Sequence, residues 1–182
     1  MNATHADIEL RPVDRFNVDA ILQLTVAPRQ AQVVASAAVS LAQAHYEPGA
    51  WIRAVYQADR PVGLVVVFDP RDPDAEPDPI MHPGDILLWR LMIDRECQGR
   101  GYGQQAVQRV LERYRQEDGV ERILATYAPG PQAPKSFFAG LGFKPEGQDD
   151  EGEIVVARPI RLRDGEPVPP ASSGDSGGPG RT

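Results

Sequence analysis

Six residues, Gln98-Gly-Arg-Gly-Tyr-Gly103, carry the densest chemical signal in the chain. Glycines at 99, 101 and 103 leave the backbone bare, so an anion can approach several N–H groups at once. The run before them, Ile86-Leu-Leu-Trp-Arg-Leu-Met-Ile93, reads as an apolar strand. After them, Val107, Val110, Leu111 and Tyr114 recur at helical spacing. A strand, a glycine turn and a helix N-terminus make a phosphate cradle, because the first helical amides lack partners and sit at the positive end of the dipole. Two common phosphate motifs do not fit. A dinucleotide fingerprint counted from Gly99 would end on Gln104, and a P-loop needs a Lys-Ser/Thr pair after its last glycine.

Composition narrows the setting. The chain has 182 residues, enough for one domain with its own core, and a formal charge of −7 that disfavours nucleic acid as a partner. No stretch approaches membrane-spanning length and no signal-peptide pattern opens the chain, so no membrane is expected. The single cysteine, Cys97, forbids an internal disulfide, fits a reducing cytosol, and is expected to be a small buried side chain. No His/Cys cluster has metal-ligand spacing, so no metal is implied.

The elements that must position the cradle follow from periodicity. Asp7 to Val13 alternates as a first strand, and helices are predicted at Phe16 to Leu24 and from about Gln30 to His45. Trp51 to Gln57 and Val62 to Phe68 form a hairpin, its second strand apolar enough to be covered on both faces. Asp69 to Asp85, with five prolines and six acids in 17 residues, is an extended loop. The fourth strand, Ile86 to Ile93, leads through the glycine turn into a third helix ending near Asp118-Gly119. Arg122 to Tyr127 is a fifth strand, a short fourth helix starts at Pro134 and stops at Gly142, and two strands close the domain near residue 160. Twelve of the last 22 residues, 161–182, are Gly, Pro or Ser, so this tail is expected to be disordered.

Gln98-x-x-Gly101-x-Gly103, set between strand and helix, resembles the pyrophosphate loop of the GNAT superfamily of acyl-CoA-dependent N-acyltransferases. Ala139-Gly-Leu-Gly-Phe143 matches that family's helix-ending Leu-Gly-Phe, and the element order over about residues 7 to 160 is similar to its fold. The resemblance implies an α/β fold with a mixed, mostly antiparallel sheet of six to seven strands, splayed between strands 4 and 5 and flanked by about four helices. Leu88 to Asp94 with Gln98 to Gly103, Ser40 to Ala44, and Gly152 to Val155 resemble the branch containing bacterial spermidine/spermine (diamine) N-acetyltransferases.

By that resemblance acetyl-CoA is the co-substrate. Backbone groups of Leu91, Met92 and Ile93 would pair with the pantetheine arm, with a strand N–H near Met92 polarising the thioester carbonyl. Gln98, Gly99, Arg100, Gly101, Tyr102 and Gly103 would hold the pyrophosphate. The acceptor is expected to be a primary amine of a small molecule, a polyamine among the candidates. The family's usual acid, a tyrosine four residues before the Gly of Leu-Gly-Phe, falls on Phe138, which has no exchangeable proton. Tyr127 is the substitute candidate, and Glu153 is the candidate base, with Asp85, His45 and His82 behind it. Trp89 is assigned by period two to a face with Leu87, Leu91 and Ile93, and Arg90 to one with Leu88 and Met92, where it is expected to anchor an internal carboxylate. Dimers are common in the family, so a homodimer is admitted. Two other readings stand beside the first: acetylation of a protein N-terminus or lysine, and a non-catalytic acyl-CoA-binding module.

Overall fold

The computed structural model describes residues 7–161, so the tail assignment for 162–182 lies outside the described residues. Seven strands form one sheet in the order β1-β2-β3-β4-β5-β7-β6. They are β1 (Ile8–Arg11), β2 (Ala50–Gln57), β3 (Arg60–Phe68), β4 (Asp85–Ile93), β5 (Arg122–Tyr127), β6 (Lys144–Gln148) and β7 (Ile154–Pro159), and the helices are α1 (Val18–Leu22), α2 (Ala37–Tyr46), α3 (Tyr102–Tyr114) and α4 (Lys135–Gly140). Every neighbouring pair is antiparallel except β4 and β5. A parallel pair needs a crossover, and α3 supplies it.

The sheet is covered on both faces, and Val62 through Phe68 of β3 are all buried as their apolar run requires. One face packs against α3 and α4. Tyr102, Ala106, Val107, Val110, Leu111 and Tyr114 of α3 are buried there at three- and four-residue spacing, with Phe138, Leu141 and Phe143 beside them. The other face is divided. Ile21, Leu24 and Ala37 of the α1–α2 region pack on Ala54, Tyr56, Leu64 and Met92. Ala75, Ile80 and Met81 of the 69–84 loop pack on Phe68, Leu87, Trp89, Leu124, Val155 and Ala157. That loop is therefore a cover for the sheet as well as an acidic surface.

Two helix expectations are corrected. The helix read from Gln30 begins at Ala37, where the Ser36 side chain accepts from the Val39 amide at 3.2 Å and caps it. Residues 28–34 instead form turns, closed by bonds such as Gln30 N to Ala27 O at 2.8 Å and Val34 N to Gln30 O at 2.8 Å. α3 stops at Tyr114, and residues 115–119 continue only as turns to Gly119, whose φ is 77°. Among the described residues no helix is long and apolar enough to cross a membrane.

Candidate active site

β4 and β5 pair at only three positions: Asp85 with Arg122, Ile86 with Ile123 and Leu87 with Leu124. β4 then runs on to Ile93 and β5 to Tyr127 without further pairing, so the sheet opens as a V. The closed end is riveted by charge. Arg122 holds the buried Asp85 through Nε and Nη2 at 2.8 and 2.7 Å, and its Nη1 reaches Glu146 at 2.8 Å. Asp85 is thus a structural carboxylate, and its second role is to accept from the His82 amide.

A register shift between Val66 and Val67 leaves Trp89 as an extra residue in β4, since Val66 faces Arg90 and Val67 faces Leu88. This bulge corrects the period-two assignment. Trp89 joins Leu87 under the 69–84 loop, while Leu91 and Ile93 lie with Leu88 on the α3 side. Met92 lies on the α1–α2 face. The strand edge from Leu88 onward faces the opening of the V.

β4 continues into the glycine turn. Gly99 and Gly101 have φ of 74° and 78°, a left-handed backbone that a side chain resists, and Gly101 caps α3. A Cβ on Gly99 would meet nothing within 4 Å, whereas one on Gly103 would press Phe137 at 3.3 Å and Ile93 at 3.5 Å. Among the described residues, the backbone amides of Gly99, Gly101, Tyr102 and Gly103 have no backbone acceptor, while that of Arg100 closes the turn over 97–99. Amides left open at a helix N-terminus fit a pyrophosphate. Tyr102 is buried in the core, and Arg100 is exposed with Nη2 on the Glu96 carbonyl at 3.1 Å. Gln98 plays a different part: its Nε2 donates to Gln30 Oε1 at 2.8 Å and to the Ile93 carbonyl at 2.9 Å. It ties the turn to the end of β4 and to the 28–34 segment.

A cleft of about 1090 Å³ occupies the V, lined by Leu87 to Leu91, Thr126 to Pro134, Phe138, the 29–35 and 78–80 segments and the β6–β7 turn. It brings together Tyr127 and Glu153, and neither side chain makes a hydrogen bond or ion pair among the described residues. The Tyr127 ring stacks on Phe138. Asp149 shapes the turn, its Oδ1 accepting from the Glu151 and Glu153 amides at 3.0 and 2.8 Å. His45 and His82 do not line the cleft, and Cys97 is buried outside it.

Arg90 corrects a further expectation. It lines the cleft, yet its bonds go to the Trp89 carbonyl at 2.8 Å and Gln43 Oε1 at 3.3 Å, not to a carboxylate. Its Nε is buried and has no partner. Burial lowers its pKa, partly offset by the charge of Glu153. Sequence reasoning also missed the 29–35 segment as a cleft wall. The polar Arg29-Gln-Ala-Gln run offered only a helical reading.

Residues 18–143 match the acetyltransferase (GNAT) family, and the chain belongs to it. No curated protein matches it in sequence. Among solved structures it is similar to an acetyltransferase from Thermus thermophilus, at 23% identity and a TM-score of 0.64 over 84% of this chain and 97% of that one. It is also similar to the PaiA N-acetyltransferase from Thermoplasma acidophilum in complex with coenzyme A, at 12% identity and 0.58 over 84% and 99%. The ribosomal-protein-S18-alanine N-acetyltransferase from Escherichia coli aligns at 13% identity and 0.58 over 86% and 96%. At these identities the structural likeness is one of fold.

Proposed function

We propose that the protein is an acetyl-CoA-dependent N-acetyltransferase that modifies a primary amine of a small molecule by direct attack in a ternary complex. One observation carries the reading: the open amides of Gly99, Gly101, Tyr102 and Gly103 follow one strand of a split sheet whose opening is a cleft of about 1090 Å³. That volume lies just above the roughly 300–1,000 Å³ of small-molecule sites. The family membership and a relative crystallised with coenzyme A support the choice of co-substrate.

Acetyl-CoA supplies the thioester carbonyl, and the chain supplies position, charge and proton acceptance. The unpaired edge of β4 offers the pantetheine arm backbone partners, which holds the acyl group still beside the acceptor. An amine with a pKa of about 10 enters protonated and must lose that proton. In this reading Glu153, which lines the cleft, takes that proton, and Tyr127, which lines it too, protonates the leaving sulfur. Asp78, Asp149, Asp150, Glu151 and Glu153 outnumber Arg29 and Arg90 along the cleft, which favours a cationic acceptor, polyamines included.

A thiol-release assay with acetyl-CoA and a panel of small amines tests the reading. Release above background with at least one amine is expected. Turnover of peptides alone would move the function to a protein acceptor. Tight acetyl-CoA binding without turnover would leave an acyl-CoA-binding module, the reading that Phe138 favours.

A further inference from the structure

We propose that Arg90 reads a carboxylate on the acceptor, so that the substrate is an amino carboxylic acid. The inference rests on the acetyl-transfer reading and narrows its acceptor.

Two arginines on the two sides of the V show the contrast. Arg122 presents its Nε/Nη2 edge to Asp85, and both oxygens are taken, at 2.8 and 2.7 Å. That edge is the fork that matches a carboxylate in bidentate fashion. Arg90 presents the same edge with nothing adequate on it. Its Nε is buried without a partner, and its Nη2 reaches only the neutral Gln43 amide oxygen at 3.3 Å. Arg158, more deeply buried than Arg90, also lacks a carboxylate, but its Nε and Nη1 are bonded to the carbonyls of Pro159 and Leu141 and it does not line the cleft.

The fold also fixes the Arg90 head in place. It lies 4.9 Å from the Trp89 ring centroid, and its Nη1 donates to the Trp89 carbonyl at 2.8 Å. The β-bulge, which puts Trp89 out of register, gives the side chain this seat. A half-buried guanidinium at the cleft wall, held still and with its Nε unmatched among the described residues, gains a full partner where an anion reaches it. Glu153 lies close enough to act on it electrostatically and is the candidate base, so an acceptor could set a carboxylate on Arg90 while its amine meets Glu153. A plain diamine would leave Arg90 unmatched, and its second ammonium would have to turn to the acidic part of the lining.

The experiment is the thiol-release assay with acceptors in matched sets: an amino acid, its carboxamide, and the amine left when the carboxylate is removed. For the wild type, kcat/KM for the carboxylate should exceed that of both counterparts by about tenfold or more. In Arg90→Gln the ratio of carboxylate to carboxamide should fall to about one, and in Arg90→Lys, which keeps charge but not the fork, it should fall between. Thermal melting reports whether each variant is folded. If Arg90→Gln is not, the ratio in Arg90→Lys decides. Turnover with a wild-type ratio of about one, or a ratio unmoved by the substitutions, overturns the inference and leaves acetyl transfer standing. No release with any acceptor overturns both.

Discussion

The rings of Tyr127 and Phe138 lie stacked, with centroids 5.6 Å apart and planes 10° from parallel. The phenylalanine stands where relatives are expected to carry an acid, and it holds against its face the tyrosine that lines the cleft. Tyr127→Phe keeps the stack and removes only the hydroxyl. A thiol of pKa about 8.5 leaves as thiolate at pH 7 for about 2 kcal/mol, so loss of the acid should lower kcat by no more than about thirtyfold. KM for acetyl-CoA should hold, and the melting temperature should move little. An unchanged kcat removes Tyr127 from the chemistry.

The glycine turn separates a cofactor effect from a folding effect. A methyl on Gly99 meets nothing in the chain but must sit at φ 74°, which costs about 1–2 kcal/mol of backbone strain. Relief of that strain would disturb the turn that leads into the open amides. Gly99→Ala should therefore leave a folded protein that binds CoA about tenfold more weakly by calorimetry. Gly103→Ala should instead move the melting temperature little, because the gain of about 1 kcal/mol from alanine in a helix offsets the tight approach of its methyl to Phe137 at 3.3 Å.

The closed end of the V predicts a stability defect. Removing one partner of a buried, hydrogen-bonded pair costs about 3–5 kcal/mol, since the other charge is left stranded. Arg122→Ala strands the buried Asp85 carboxylate in this way, and urea unfolding should show a lower midpoint with an unchanged slope. Glu146, the more exposed partner at 2.8 Å, should contribute less than about 1 kcal/mol.

Acid should loosen the cover over the second face. Burial works to raise the Asp69 pKa, but the side-chain and backbone hydrogen bonds of Arg71 and its charge outweigh that and hold it below the usual carboxylate value. A depressed folded-state pKa gives stability that is present above the unfolded value of about 3.9 and is lost as pH falls through the folded one. Arg71 also donates to the Asp118 carbonyl at 2.7 Å, so it fastens the 69–84 loop to the turn after α3. Arg71→Gln should be less stable than the wild type at pH 7. The difference should shrink below about pH 4, measured by thermal melting across pH. A difference constant with pH counts against the linkage.

Much of this architecture is visible in the residues themselves. The bounds of β5 follow from Arg122 to Tyr127 alone, and the glycines at 99 and 101 mark positive φ because little else tolerates it. What local pattern could not give is set at a distance. Gln30 leaves a helical reading because its side chain accepts from the Ala27 amide and from Gln98, 68 residues away. The displacement of Trp89 depends on Val66 and Val67 across the ladder, and strict alternation has no term for it. Ala75, Ile80 and Met81 are isolated among prolines and acids, so only the sheet beneath them shows that they are partly buried.

The parallel pairing of β4 and β5 ends after Leu87 and Leu124. A half-unzipped sheet keeps an adhesive edge yet hides it between two walls. A linear molecule with its own amides, filling the gap, would restore the hydrogen-bonded continuity that the sheet gives up on its own.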